Sequence, residues 1–315
     1  MRILITGAAG FVGKHLIKYL QSDGQSDISV LALNQKEADF LGKYGVNIHI
    51  SDILDMDNLK TVICDINPDH IYHLAAQSSV ELSWINPAFT ADVNIIGTIN
   101  LIEAVRIANK NPRILLIGSG DEYGNVQVQD MPLNENTKLA PTSVYAITKI
   151  CQNMLGSVYV NAYNMDLVMT RAFNHIGPGQ SQIFVVSDFC KQMVGIEKDK
   201  VEPIIKVGNT AVKRDFTDVR DVVRAYALLM QKGIAGETYN ISSGKSVSIQ
   251  EILDIIIAQS KINITVEVDK KRFRPSDTAT LEADSSKLRC LTGWDNLISL
   301  EQSISDTIKY WQDMF

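Results

Sequence analysis

Along the first half of the chain, short apolar runs rich in β-branched residues alternate with longer stretches whose apolar positions recur every three or four residues. The runs are "RILITG" (2–7), "ISVLALN" (28–34), "VNIHISDI" (46–53), "HIYHLAA" (70–76), "RILLIGSG" (113–120) and "LVMTRAFN" (167–174). Helical periodicity falls near 12–20, 57–64, 91–108 and 145–163. Strands that read as continuous apolar segments are buried on both faces, and helices between them supply the crossovers that parallel neighbours require. The pattern predicts an α/β fold built on a Rossmann-type, doubly wound parallel sheet.

Beyond about Asn174 the alternation loosens into "HIGPGQSQ" (175–182), further helices, short strands such as "IIKVGN" (204–209) and a last helix near Leu300–Trp311. This predicts an NAD(P)-binding lobe over 1–173, with returning segments near 209–240, and a smaller α/β substrate-binding lobe over most of 174–315. The cleft between them is expected at the carboxyl edge of the sheet, where open α/β folds bind ligands.

Composition narrows the class. With 315 residues, 45% hydrophobic and 21% charged, the chain can bury a large core. A formal net charge of −6 without a basic run argues against nucleic acid or an anionic membrane as partner, yet leaves room for a local pocket holding a phosphorylated small molecule. Cys64, Cys151, Cys190 and Cys290 lie far apart, with no C-x-x-C, which predicts reduced thiols. "MRILITG" lacks the features of a signal peptide, and no window approaches the roughly 18 apolar residues of a membrane span. The expected location is the cytoplasm.

The first candidate chemistry is "ITGAAGFVG", which follows the first strand with Gly7, Gly10 and Gly13 in G-x-x-G-x-x-G spacing. Gly7 permits the tight turn, Gly10 lets a pyrophosphate approach the backbone, and Gly13 allows close helix-to-strand packing. The helix beginning at Phe11 or Val12 then offers free N–H groups and a positive dipole end to a diphosphate. Where an NAD site usually carries an acid after the second strand, this chain reads Leu33, Asn34, Gln35, Lys36. The expectation is NADP (NADPH), with NAD possible. Asp52, followed by Ile53, is a candidate for the adenine amino group or, equally, a helix cap. Ala75 and Ala76 end the fourth strand, where small side chains let the backbone pass close to the cofactor.

The second is "PTSVYAITK" (141–149). Of ten tyrosines, only Tyr145 has a lysine four places on, one helical turn away on the same face. Ser119 ends the fifth strand, so Ser119, Tyr145 and Lys149 converge at the edge that carries the glycine loop. An ammonium near the phenol is expected to lower its pKa, and the serine hydroxyl to bind the reacting oxygen.

Over essentially its whole length the chain resembles the extended short-chain dehydrogenase/reductases that act on nucleotide sugars. The resemblance rests on "TGAAGFVG", "HLAAQSSVELSW", "VNIIGTINLIEA", "YAITK", "FNHIGPGQ", "RDFTDVRDVV" and "RPSDTATLEAD". It implies hydride transfer to a C4 ketone, with Tyr145 protonating the oxygen, Lys149 assisting and Ser119 binding that oxygen. Its members include 4-ketoreductases of GDP-4-keto-6-deoxy-D-mannose and GDP-mannose 4,6-dehydratases. The dehydratase motif places Thr, a variable residue and Glu where this chain has Ser119, Gly120 and Asp121. A carboxylate one methylene shorter retracts a general base, which favours ketone reduction; Glu122 remains a spare acid for elimination.

For the GDP-sugar, the resemblance implies Asn174, Arg214, Arg274 and Asp121, with Ser83 against the hexose. Asp218 and Asp221 read instead as the cap and first-turn charge of the next helix. His15, His49, His70, His73 and His175 form no metal set. The helices from about Ala91 and Tyr145 resemble those through which relatives form homodimers. A non-catalytic NADP-binding sensor is the remaining alternative.

Overall fold

The structure, a computed structural model, describes residues 1–198, 200–273 and 280–315. In chain order the first part comprises β1 (Ile3–Thr6), α1 (Phe11–Ser22), β2 (Ile28–Ala32), α2 (Gln35–Gly42), β3 (Asn47–Ile50), α3 (Met56–Ile66), β4 (His70–His73), α4 (Val80–Ile85), α5 (Pro87–Ala91), α6 (Gly97–Ile107), β5 (Arg113–Ser119), α7 (Val144–Tyr163) and β6 (Leu167–Ala172). Then come β7 (Asn174–Ile176), α8 (Val185–Glu197), β8 (Ile204–Val207), β9 (Lys213–Asp218), α9 (Val219–Lys232), β10 (Thr238–Ile241), β11 (Ser246–Ser248), α10 (Ile249–Ile257), β12 (Thr265–Val268), α11 (Ser286–Thr292) and α12 (Leu300–Met314).

The main sheet is parallel, with strand order β10-β6-β5-β4-β1-β2-β3. Every residue of β1, β2 and β6 is buried, as continuous apolar strands between two helical layers must be. The chain builds outward from β1 in both directions, so the crevice between β1 and β4 is the topological switch point. Beside this sheet, β11-β9-β7 and β12-β8 form two small sheets. Their core is shared with α8, α10 and α12. By contrast α9 returns to pack on α1, and β10 joins the main sheet beside β6.

Three elements differ from the sequence pattern. Helix α2 is nearly invisible in it because only Ala38 and Leu41 of its eight residues are buried; the Asn34 side chain, accepting from the Glu37 N–H, starts it instead. Strand β10, only four residues long, exists through its pairing with β6. The helix expected near Ala91 begins at Pro87 behind an Asn86 cap and passes through a π-turn at Asp92–Ile96. That helical run, Pro87–Ile107, is long and apolar enough by composition to cross a membrane, against the expectation from sequence; in this fold it packs against α3 and α7.

Candidate active site

The turn after β1 leaves no room for side chains. Gly7 has φ +67°, and a Cβ there would stand 2.7 Å from the Ala75 nitrogen at the end of β4. At Gly13 a Cβ would meet the Ala8 carbonyl oxygen at 2.5 Å, so α1 and the turn touch through backbone alone. Gly10 is the N-cap of α1: no side chain caps the helix, and no acid lies in its first turn. Phe11 and Val12 therefore begin a helix whose end is open to an anion. Behind the turn, Thr6 Oγ1 accepts from the Ala75 N–H (3.1 Å) and bonds His73 Nδ1 (2.9 Å), while His73 Nε2 lies 2.9 Å from Thr98 Oγ1. Burial, with the Lys149 charge as a smaller cause, pushes His73 down to about 3 and keeps the imidazole neutral. Ala76 follows Ala75 in the same half-buried crevice.

On the β2 side, Asn34 Oδ1 is occupied by the Glu37 N–H (3.1 Å), while Lys36 is exposed in the first turn of α2. Glu37 folds back so that its carboxylate accepts from the Leu33 N–H (2.9 Å). Glu37 thus brings a carboxylate to the end of β2, one place beyond residues 33–36. Asp52 is exposed and accepts from the Leu54 N–H (2.9 Å); α3 is capped by Asp55, not Asp52. Ile53 is buried against Gly97, where an added Cβ would lie 2.9 Å from its Cγ2.

At the other flank, Ser143 Oγ accepts from the Ala146 N–H (3.1 Å) and starts α7, so that Tyr145 lies in its first turn and Lys149 one turn on. Both side chains are buried. Ser119, at the end of β5, brings its side chain near enough to the Tyr145 phenol to act on it. Lys149 Nζ donates to the Ile117 carbonyl (2.8 Å) and to Gln152 Oε1 (3.1 Å). The three groups expected to converge are thus brought together.

Their electrostatics differ from the expectation that Lys149 lowers the phenol. Burial pushes Tyr145 well above the ordinary range, the charge on Asp121 adds to this, the nearby Ser119 side chain opposes it, and Glu122 adds a little more. The Lys149 ammonium is 6.0 Å from the ring centroid and aimed at Ile117. Lys149 is itself lowered to about 8 by burial, with Glu122 opposing the shift. At neutral pH the site therefore holds a neutral phenol beside an ammonium, an arrangement suited to giving a proton.

The residues expected at the sugar nucleotide fare unequally. Asp121 sits at the lip, close enough for its charge to act on Tyr145. Asn174 is exposed on β7 and donates to the Asp215 carbonyl (3.3 Å). Arg214 on β9 donates to the Lys213 carbonyl (2.8 Å), and Arg274 lies outside the described residues. Ser83, expected against the hexose, is fully buried, and its hydroxyl donates to the Val80 carbonyl within α4 (2.6 Å). Glu122 is corrected, because its carboxylate is turned inward and paired with Arg171 at 2.9 Å, leaving no spare acid there. His175, next to Asn174, has Nε2 3.4 Å from the Tyr226 hydroxyl and is pushed down to about 4 by burial. Asp218 caps α9 and Asp221 lies in its first turn. Among the described residues, no group of three or more His, Cys, Asp or Glu could hold a metal ion.

Several residues at the site went unnoticed in sequence. Gln152 and Asn153 follow Lys149 by three and four places, so helix spacing alone could have placed them on its face. Gln77 and Asn94 carry no such signal. Asn94 Oδ1 accepts from the Gln77 N–H (2.8 Å), and its amide donates to Thr148 Oγ1 (2.9 Å), tying the end of β4 to α7.

Comparison with known proteins places this geometry. A family model for GDP-mannose 4,6 dehydratase matches residues 4–307. The chain is 30% identical over 311 residues to the GDP-6-deoxy-D-mannose reductase of Pseudomonas aeruginosa, covering 99% of this chain and 97% of that protein. It is 27% identical to a GDP-mannose 4,6-dehydratase of Vibrio cholerae, over 97% of this chain and 92% of that one. The solved structure of RMD from Pseudomonas aeruginosa complexed with NADPH superposes with a TM-score of 0.88 at 29% identity, covering 100% of both chains. The parallel sheet, the open glycine turn and the extent of these matches agree, and the chain belongs to the GDP-mannose 4,6-dehydratase family of extended short-chain dehydrogenase/reductases.

Proposed function

We propose that this chain is a nucleotide-sugar 4-ketoreductase that reduces GDP-4-keto-6-deoxy-D-mannose to GDP-D-rhamnose with NADPH. The observation that carries the reading is the buried Tyr145 phenol, kept protonated and set near the Ser119 side chain beside the crevice of the glycine turn. The 30% identity to a GDP-6-deoxy-D-mannose reductase, and the neighbour complexed with NADPH, support it.

The 1–173 lobe, with the returning helix α9 and strand β10, is the cofactor side; the segments from 174 onward supply the sugar nucleotide side. Gly7, Gly10, Gly13 and the N–H groups of Phe11 and Val12 hold the diphosphate, with Ala75 and Ala76 against it. Ile53 and Asp52 flank the adenine; Asn34 and Lys36 face the ribose. NADPH, when bound, supplies the hydride. Tyr145 gives its proton to the C4 oxygen as charge develops there, and Ser119 donates a hydrogen bond to the same oxygen. Lys149 keeps a positive charge behind the phenol, favouring the phenolate left after transfer. Asn174, Arg214, Arg274 and Asp121 bind the sugar nucleotide, the guanidiniums being suited to its diphosphate.

Dehydration of GDP-mannose is the second reading, favoured by the family model. It asks for a carboxylate acid/base at Asp121 or Glu122. Glu122 is locked to Arg171, and Asp121 is shorter than the family's glutamate. Homodimerisation is part of the proposal: Phe89 and Ile96, and Ile147, Met154 and Val158 on α7, leave an exposed apolar stripe at helical spacing. Four unpaired thiols suit a reducing cytoplasm.

The test is cofactor balance. The protein should consume one NADPH for each 4-keto sugar and leave GDP-mannose untouched. A 4-keto-6-deoxy product from GDP-mannose alone, without net NADPH oxidation, would replace this reading by the dehydratase one.

A further inference from the structure

Directly beneath Ser119 a carboxylate is buried where the reaction has no use for one. Glu122 has no exposed surface, yet it is fully satisfied: Oε1 accepts from the Ser119 N–H (2.9 Å), Asn153 Nδ2 donates to both oxygens (2.9 and 2.8 Å), and Arg171 Nε donates to Oε2 (2.9 Å). The Glu122 bond to the Ser119 N–H is half of a capping box around one helical turn, which by itself needs only an exposed glutamate. The rest exceeds a cap. The donors come from three elements: the end of β5, the middle of α7 and β6.

The slot is built for the carboxylate. Gly118 lies beside it, where a Cβ would stand 2.4 Å from Glu122 Oε1, 2.7 Å from Asn153 Nδ2 and 2.2 Å from the Thr170 carbonyl oxygen. Arg171 is held in turn by the Tyr123 hydroxyl (3.2 Å) and the Glu135 carbonyl (3.0 Å), and Tyr123 donates to Asn240 Oδ1 (2.7 Å) on β10. Buried ion pairs add little net stability over apolar replacements, so stability alone is a weak reason for such a network. What the carboxylate joins is more informative. Asn153 lies on the helix that carries Tyr145 and Lys149, eight and four residues further on, and Ser119 is the third member of that group.

We propose that Glu122 is the positioning residue of the catalytic group: its carboxylate, held by the Ser119 N–H, the Asn153 amide and Arg171, clamps Ser119 to the α7 face carrying Tyr145 and Lys149. The inference rests on the ketoreductase reading for its catalytic consequence, though not for its structural one. Around Lys149, His73 at the end of β4 is neutral and the Glu122 charge favours the ammonium.

The experiment compares three variants. Glu122→Gln alone leaves Arg171 buried without its counter-charge and is prone to unfold, so Glu122→Gln/Arg171→Met, which removes both charges, is measured beside it. Glu122→Asp keeps the charge but withdraws it by one methylene. Hydrogen exchange at the Ser119 amide is followed by NMR, independently of turnover, together with melting temperature, KM and kcat. The neutral double variant should melt near the parent, with the Ser119 amide exchanging faster, kcat reduced several-fold and KM little changed. Glu122→Asp, one methylene short of the Ser119 N–H, should lose kcat in the same way. Unchanged kcat and unchanged Ser119 exchange in the folded double variant overturn the proposal. If no 4-keto sugar is turned over at all, the ketoreductase reading fails while the Ser119 exchange still decides the clamp.

Discussion

Helices α1 and α7 both begin at the carboxyl edge of the same sheet, yet they are finished in opposite ways. The start of α1 is open: Gly10 provides no side-chain cap and the first turn holds no acid. The start of α7 is closed by Ser143, whose hydroxyl accepts from the Ala146 N–H. An open end leaves backbone N–H groups and a partial positive charge for an anion, so in α1 the backbone is the functional part. A closed end fixes the helix in rotation and register, so in α7 the working part is a side-chain stripe, Tyr145, Lys149, Gln152 and Asn153. On the proposed reading, one edge serves a diphosphate and a proton transfer with different parts of the same kind of element.

The contrast can be broken at either helix. Tyr145→Phe removes the proposed proton donor and should lower turnover by about 10²- to 10⁴-fold while NADPH affinity stays near the parent value. Steady-state rates and a fluorescence titration with NADPH check both halves, and undiminished turnover would take the phenol out of the mechanism. Gly13→Ala acts on α1 in the reverse sense. Its Cβ would lie 2.5 Å from the Ala8 carbonyl oxygen, so α1 must shift from the turn. NADPH affinity should fall by roughly 10- to 100-fold, the equivalent of about 1–3 kcal/mol of overpacking, with turnover at saturating cofactor much less affected.

The pH profile sharpens the α7 side. Lys149 is lowered to about 8 from its ordinary 10.5, so the ammonium is present below about 8 and lost above it. Turnover should decline as pH rises through about 8, close to tenfold per unit in the limit. Unfolding is not the cause. Between about 8 and 10.5 the unfolded chain binds this proton and the folded chain does not, so this group favours the folded state increasingly as pH rises through that window. A circular-dichroism signal held constant across the activity loss would separate the two. The smallest effect is expected from Ser143→Ala, which removes the α7 cap at a cost of about 1 kcal/mol and should lower the melting temperature by a few degrees, leaving NADPH affinity unaltered.

The sequence by itself determined the parallel sheet and the placement of the glycine turn, because both are local: a doubly buried strand must be apolar throughout, and a turn with φ +67° demands glycine at residue 7. Helix spacing likewise put Tyr145 and Lys149 on one face. Tertiary structure decided the rest, since burial and charge depend on neighbours distant along the chain. It turned Ser83 inward, returned Glu37 to the end of β2, and paired Glu122 with Arg171, 49 residues away. It also reversed the electrostatics of the phenol, because the cost of desolvating a buried phenolate exceeds the help from an ammonium that points to another acceptor. Strand β10 and helix α2 are too short and too weakly patterned to show in a one-dimensional reading, and only pairing and capping partners make them visible.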